Sequence, residues 1–370
     1  GGHLKTAKFL EEKFKEINLK PLSNGKYFQY FNIDVNTFPY PIELKLDNKI
    51  LTPGKDFMIA PKSRGAKATY NVLNADLNNW KSFLNSKKDF RETMVCLDVS
   101  NILNKDTILM YKELRNILNK IFPLLWISNE KLEWSIEDKA SNLPLIKIAS
   151  KSVNYDFSRV QLNIEHKFQK GLKTQNVVGM VSGRRKKSII ISAHYDHLGM
   201  MGQVKFPGAN DNASGVSLLL NLASYYSINP HKYNIIFIFF GAEEAGLKGS
   251  KYFTEHPLLD LKKVSFLINL DIVGTGEEGI AIVNALEEKK AAKKIGKINT
   301  RLNYFKKIKI RGQSPNSDHY WFSNHQVPSI FIYTMGGIQA YHDPLDKSET
   351  LPLNKIQDLY HLIIDFVNEF

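Results

Sequence analysis

The C-terminal part of the chain carries strand-sized apolar runs, and these constrain the fold most: "NVVGMV", "SIIISAHYD", "NIIFIFFGAEE", "VSFLINLDIVG" and "VPSIFIYTM". They are continuous rather than alternating, and helical stretches such as "ASGVSLLLNLASYYS" lie between them. Continuous apolar strands separated by helices indicate a sheet buried on both faces, mostly parallel. Residues 4 to 19 read as an amphipathic helix, with Ala7, Leu10, Phe14 and Ile17 on one face, and a second such helix closes the chain from about 353 to 369. Residues 36 to 152 have another texture. Short β-like pieces ("TMVCLDV", "LLWIS", "LPLIKIA") and the helical "KDTILMYKELRNILNKI" occur there without a His/Asp/Glu cluster. The expected architecture is α/β: a mixed, mostly parallel central sheet flanked by helices, built from residues 1–35 and 153–370, with a smaller α+β domain inserted at 36–152.

Composition excludes several function classes. Hydrophobic residues make up 43% of the 370, enough for a packed interior. No apolar run approaches the ~20 residues of a membrane span. The net charge of +13 comes almost entirely from lysine, with only eight arginines, and the lysines are scattered through every segment. That pattern reads as a solvated surface, not as a nucleic-acid interface. The single cysteine, Cys96, sits in an apolar run and has no internal partner for a disulfide. The chain opens "GGHLKTAKF", without an initiator methionine. The expectation is an exported protein, periplasmic, extracellular or surface-anchored, whose signal has been removed.

Acids and histidines gather where the strands end. "SIIIS" runs into His194 and Asp196, "IIFIFF" into Glu243 and Glu244, and "FLINL" into Asp271. The glycine-bracketed "PGANDNASG" offers Asp211 before a helix, and "GGIQAYHDPLD" offers His342 after the last strand. In open α/β sheets ligands bind beyond the carboxyl ends of strands. Taken singly, an Asp such as Asp211 is more often a helix cap and a His such as His342 a surface residue. Gathered at one end of one sheet, these carboxylates need cations. Imidazole and carboxylate donors without thiolates suit zinc. Five ligands exceed one open tetrahedral site and suit two zincs about 3.5–4 Å apart with a bridging carboxylate.

The ordered set "SAHYDHLG", "GANDNASGVSLLL", "FGAEEAGLKGS", "NLDIVG", "SDHYWF", "VPSIFI" and "YHDPLD" resembles the two-zinc, co-catalytic aminopeptidases, a family that includes secreted bacterial aminopeptidases, glutamate carboxypeptidase and glutaminyl cyclases. The resemblance covers roughly residues 155–370 and the first helix. It implies that His194 and Asp271 bind one zinc, Glu244 and His342 the other, and that Asp211 bridges them. It also implies that Glu243 is the general base, that Asp196 is the partner of His194, and that Tyr341 stabilises the tetrahedral intermediate. Asp318 and His319 match a motif near the site and receive no catalytic role, while His197 is read as structural or solvent-facing. The implied activity is removal of N-terminal residues from peptides. A glutaminyl cyclase, a carboxypeptidase or dipeptidase, and a catalytically silent binding protein stay open as alternatives. Ser214 lacks the preceding glycine of a hydrolase nucleophile motif. The segment 36–152 loosely resembles a protease-associated insert and reads as a lid or cleft wall. Specificity pocket and oligomeric state are not legible.

Overall fold

A computed structural model describes residues 2–22, 25–85, 92–153 and 156–370. Its central sheet has nine strands among these residues. Four at its middle are mutually parallel, in the spatial order Tyr233–Phe240, Arg185–His194, Val264–Leu270 and Ser329–Met335. Antiparallel strands flank them: Lys167–Val181 on one side and Gly279–Val283 on the other. After Arg185–His194 the chain first adds a strand on one side, then crosses to the other. Such a reversal opens a crevice above the strand ends.

The continuous apolar runs are explained by cover on both faces. Ile189 and Ile191 pack toward a cluster with Phe237, Phe239 and Ile268, roofed by the helices Gly2–Glu16, Ser214–Ile228, Lys289–Leu302 and Ile356–Asn368. Ile190 points the other way, with Ile236, Ile238 and Leu267, beneath Phe253 of Lys248–Glu255 and Phe322 of His319–Asn324. Each strand thus places alternate residues in two cores. The first helix joins this sheet through Ala7, Leu10 and Phe14, all fully buried.

A second sheet, of eight strands among the described residues, runs in the order Lys49–Leu51, Glu43–Leu46, Arg159–Ile164, Ala66–Asn74, Thr93–Asp98, Leu124–Ser128, Leu145–Ala149, Phe57–Ile59. Its strand Arg159–Ile164 lies past residue 152, and Phe28–Thr37, the second strand after the opening helix, belongs to the central sheet. The second sheet therefore closes with a strand whose alternating pattern, buried at Val160, Leu162 and Ile164, follows the expected boundary instead of preceding it.

Candidate metal centre

The site is assembled at the carboxyl ends of the parallel strands. Asp211 lies between two imidazoles: its Oδ1 is 3.3 Å from His194 Nε2 and its Oδ2 is 3.3 Å from His342 Nε2. His194 Nε2 is also 3.2 Å from Asp271 Oδ1, and His342 Nε2 is 3.1 Å from Glu244 Oε2. Donor atoms of His194, Glu243 and Asp271 lie within 4.8 Å of one another, as do those of His197, Asp211 and Glu244. His194, Asp211 and Asp271 are each at most 5% exposed.

Each side chain has an identifiable support. Asp211 sits in a loop held by Asp346, whose two carboxylate oxygens accept the Asn210 and Asp211 backbone N–H groups at 2.8 and 3.0 Å. Asn212 ties that loop to the neighbouring strand, donating to the Leu270 carbonyl while its Oδ1 accepts from Gly215 and Ile272. Only glycine fits at 215, since a Cβ there would stand 2.3 Å from Asn212 Oδ1. Asp271 accepts from Ser317 Oγ at 2.9 Å, and Ser317 continues through Asn269 to Ser192 beneath the site.

Asp196 supports the site differently from the expectation. The Nδ1 of His194 meets the Asp196 main-chain carbonyl at 3.0 Å, while the carboxylate is 3.9 Å away. That carboxylate instead accepts the backbone N–H groups of Glu243 and Glu244 at 3.0 and 3.2 Å. It therefore shapes the turn after the Tyr233–Phe240 strand and aims the two glutamates. Tyr341 stacks on His342 with ring centroids 4.0 Å apart and borders the same cavity as the acids. Asp318 and His319 are fully buried close behind the site.

His197 is not solvent-facing. It is mostly buried, with Nδ1 2.8 Å from Glu244 Oε1, so it holds one oxygen of Glu244 while the other faces His342. The signal was its position directly after the His194–Asp196 pair. A second contribution comes from a distant segment. Lys131 Nζ bonds Asp343 Oδ2 at 2.6 Å and the carbonyls of Gln339 and Tyr341 at 2.8 and 3.1 Å, and Trp134 N–H donates to the His342 carbonyl at 2.9 Å. Nothing in the local sequence around Lys131 marks that role.

The electrostatics call for cations here. Burial disfavours a charged His342, yet Asp211 and Glu244 raise its pKa to about 10. His194 is likewise raised, against its burial, by Asp271, Glu243 and Asp211. Burial raises Glu243 well above the usual carboxylate range, helped by Glu244, Asp318 and Asp271 and opposed by His194. Burial also lifts Asp196 to about 6, partly offset by His194. Six acids, Asp196, Asp211, Glu243, Glu244, Asp271 and Asp318, crowd three histidines, so positive charge is favoured at the imidazole nitrogens. The donor separations of 3.1–3.3 Å agree with the edge of a tetrahedron of ligands around zinc, about 3.3 Å for bonds of about 2.0–2.1 Å. The residues fit zinc.

A mixed α/β sheet presenting imidazoles and carboxylates beyond its parallel strands defines a metal-dependent hydrolase as a class. The chain belongs to peptidase family M28, whose family model matches residues 176–367. It is 26% identical over 362 residues to aminopeptidase YwaD of Bacillus subtilis, covering 91% of this chain and 76% of that protein. It is 27% identical over 237 residues to a glutaminyl-peptide cyclotransferase of Dictyostelium discoideum, covering 54% of this chain and 64% of that protein. Among solved structures it shares its fold with BSAP, a zinc aminopeptidase from Bacillus subtilis, at a TM-score of 0.73 and 21% identity, covering 100% of this chain and 89% of that one.

Proposed function

We propose that this chain is an aminopeptidase that works with two zinc ions. The observation that carries the reading is Asp211, whose two oxygens each face a different imidazole at 3.3 Å. His194 and Asp271 would hold one ion, Glu244 and His342 the other, with Asp211 shared between them. When bound, the ions make an attacking water more acidic and polarise the scissile carbonyl.

The chain's own groups do the rest. Glu243 stands beside Glu244 on a turn fixed by Asp196 and takes the proton of the attacking water, then delivers it to the leaving amine. Burial, together with the neighbouring acids, raises its pKa, which makes it a stronger proton acceptor than a free carboxylate. Tyr341 borders the cavity and supplies a donor for the developing oxyanion. His197 keeps Glu244 in place. Residues 36–152 act as a cleft wall, supported by the bonds from Lys131 and Trp134 to the His342 loop. Export from the cytoplasm belongs to the same proposal, on the family resemblance.

The test is metal content measured beside hydrolysis of a panel of aminoacyl amides, with Glu243→Gln as the control. The expected result is two zincs per chain, and a loss of about 10²–10⁴-fold in kcat in the variant while its zinc stays bound. One zinc or none, with no amide turned over, sinks the proposal. In that case cyclisation of an N-terminal glutamine would separate a cyclase, as in the Dictyostelium relative, from a silent binding protein.

A further inference from the structure

The cavity of about 390 Å³ that holds Asp211, Glu243, Glu244 and Asp271 continues past the metal centre to a wall made by Ile272, Phe331, Tyr333 and Arg311. Ile272, Phe331 and Tyr333 offer apolar or aromatic surface. Arg311 does not fit that character. Its Nη1 donates to the Tyr333 hydroxyl at 2.9 Å, and its guanidinium lies 5.7 Å from the Tyr333 ring centre. No carboxylate stands within 4.0 Å of it among the described residues. Its main chain is spent on neighbours: the N–H donates to Ile282, and the carbonyl accepts from Ala285 and Leu286. The backbone is therefore fixed, the side chain is braced on Tyr333, and the guanidinium keeps further N–H donors for whatever enters the cavity.

The ligand acids Asp211, Glu244 and Asp271 do not supply the missing partner, because their oxygens are committed to His194, His197 and His342, to Ser317, or to the ions of the proposed function, and Glu243 makes no ion pair with the guanidinium. A guanidinium held half-buried without an anion is unfavourable in itself and favours a ligand that brings one. We propose that Arg311 receives a substrate carboxylate, so that this cleft prefers peptides carrying an acidic group at the far wall of the cavity. This rests on the aminopeptidase reading. The carboxylate has two possible sources, the side chain of an N-terminal aspartate or glutamate and the C-terminus of a dipeptide. A planar guanidinium recognises either one through paired N–H···O bonds.

The experiment compares wild type with Arg311→Met on two substrate pairs. Glutamyl against leucyl p-nitroanilide reads an acidic side chain, and alanyl-alanine against its amide reads a C-terminal carboxylate. Wild type is expected to favour the acidic member of one pair, and the variant to lose about 30-fold in kcat/KM on that member alone, as for one charge-assisted bond. The pair that responds identifies the source. Both ratios unchanged in Arg311→Met, with leucyl anilide still hydrolysed, overturns the inference and leaves Arg311 as a brace for Tyr333. If wild type hydrolyses nothing, the aminopeptidase reading has failed separately. Calorimetric titration then decides on the carboxylate site, with L-glutamate against L-glutamine and alanyl-alanine against its amide. A preference for the acid that disappears in Arg311→Met supports it, and equal binding overturns it.

Discussion

His319 follows Asp318 at the start of a short helix and is completely buried, its ring 5.5 Å from that of Phe331. Burial lowers its pKa to about 4, only partly offset by the Ser317 backbone. The neutral ring is thus the one the fold accepts. The stability it contributes is full above its unfolded value near 6.5 and is lost as pH falls through that value toward 4. His3, half-buried and stacked on Tyr195 with its pKa also near 4, acts in the same direction. Replacing His319 with leucine is expected to remove on the order of 3 kcal/mol of acid sensitivity between pH 6.5 and 4. Denaturant unfolding at a series of pH values would measure this, and an unchanged acid slope in the variant would refute it. Arg311 and Glu243 belong to the same scale, since each is a single side chain whose removal changes one chemical term.

At the scale of elements, the loop after Ser329–Met335 matters most, because it carries Tyr341 and His342 with no regular structure of its own. His342 sits at φ 52°, a left-handed conformation that costs energy outside glycine. The loop is held from the second sheet's side of the molecule by Lys131 and Trp134. On the proposed two-zinc reading, Lys131→Met is expected to weaken the ion held by Glu244 and His342 by about tenfold and leave the other unchanged, with Lys131→Arg recovering much of the loss. Competition against a chromogenic chelator resolves the two sites. Equal affinity at both in wild type and variant would show that Lys131 does not position His342. The Lys131–Asp343 pair is half open to water on the lysine side, so its contribution to overall stability should be small beside this positioning effect.

Across the whole molecule, buried acids and histidines gathered at the carboxyl ends of the parallel strands set the pH dependence of stability. Asp318, pushed up by burial to about 7, and His342, raised to about 10, both have folded values above their unfolded ones. The Asp318 share is full below about 4 and is gone once pH passes 7, whereas the His342 share is full below about 6.5 and drains away as pH rises toward 10, so His342 governs the alkaline side. Metal-free protein should therefore lose melting temperature between pH 7 and 9. Zinc should raise Tm at every pH in that window and flatten the slope, since an ion present at about a thousand times its Kd adds about 4 kcal/mol. Scanning calorimetry with and without chelator measures both. A metal-free Tm that holds level or rises across this window would contradict the charge distribution described for the site.

Much of this was written locally. A strand buried on both faces must be apolar throughout, so the runs ending in His194, Glu243 and Asp271 could be recognised as central parallel strands. Ligands beyond their carboxyl ends follow from that topology. The helices at either end were legible from their spacing, to within a few residues of Gly2–Glu16 and Ile356–Asn368. What depends on residues far apart could not be read. Asp196 meets Glu243 and Glu244 through their backbone, His197 meets Glu244, and Lys131 meets the His342 loop more than two hundred residues away. The strand Arg159–Ile164 joins the second sheet because its partners lie at Glu43–Leu46 and Ala66–Asn74, and no local pattern names them. Residue type and strand periodicity are properties of short stretches, so the sequence by itself determined the sheet and its chemistry. Pairing, orientation and charge balance are set by which stretches meet, and only the tertiary structure decided those.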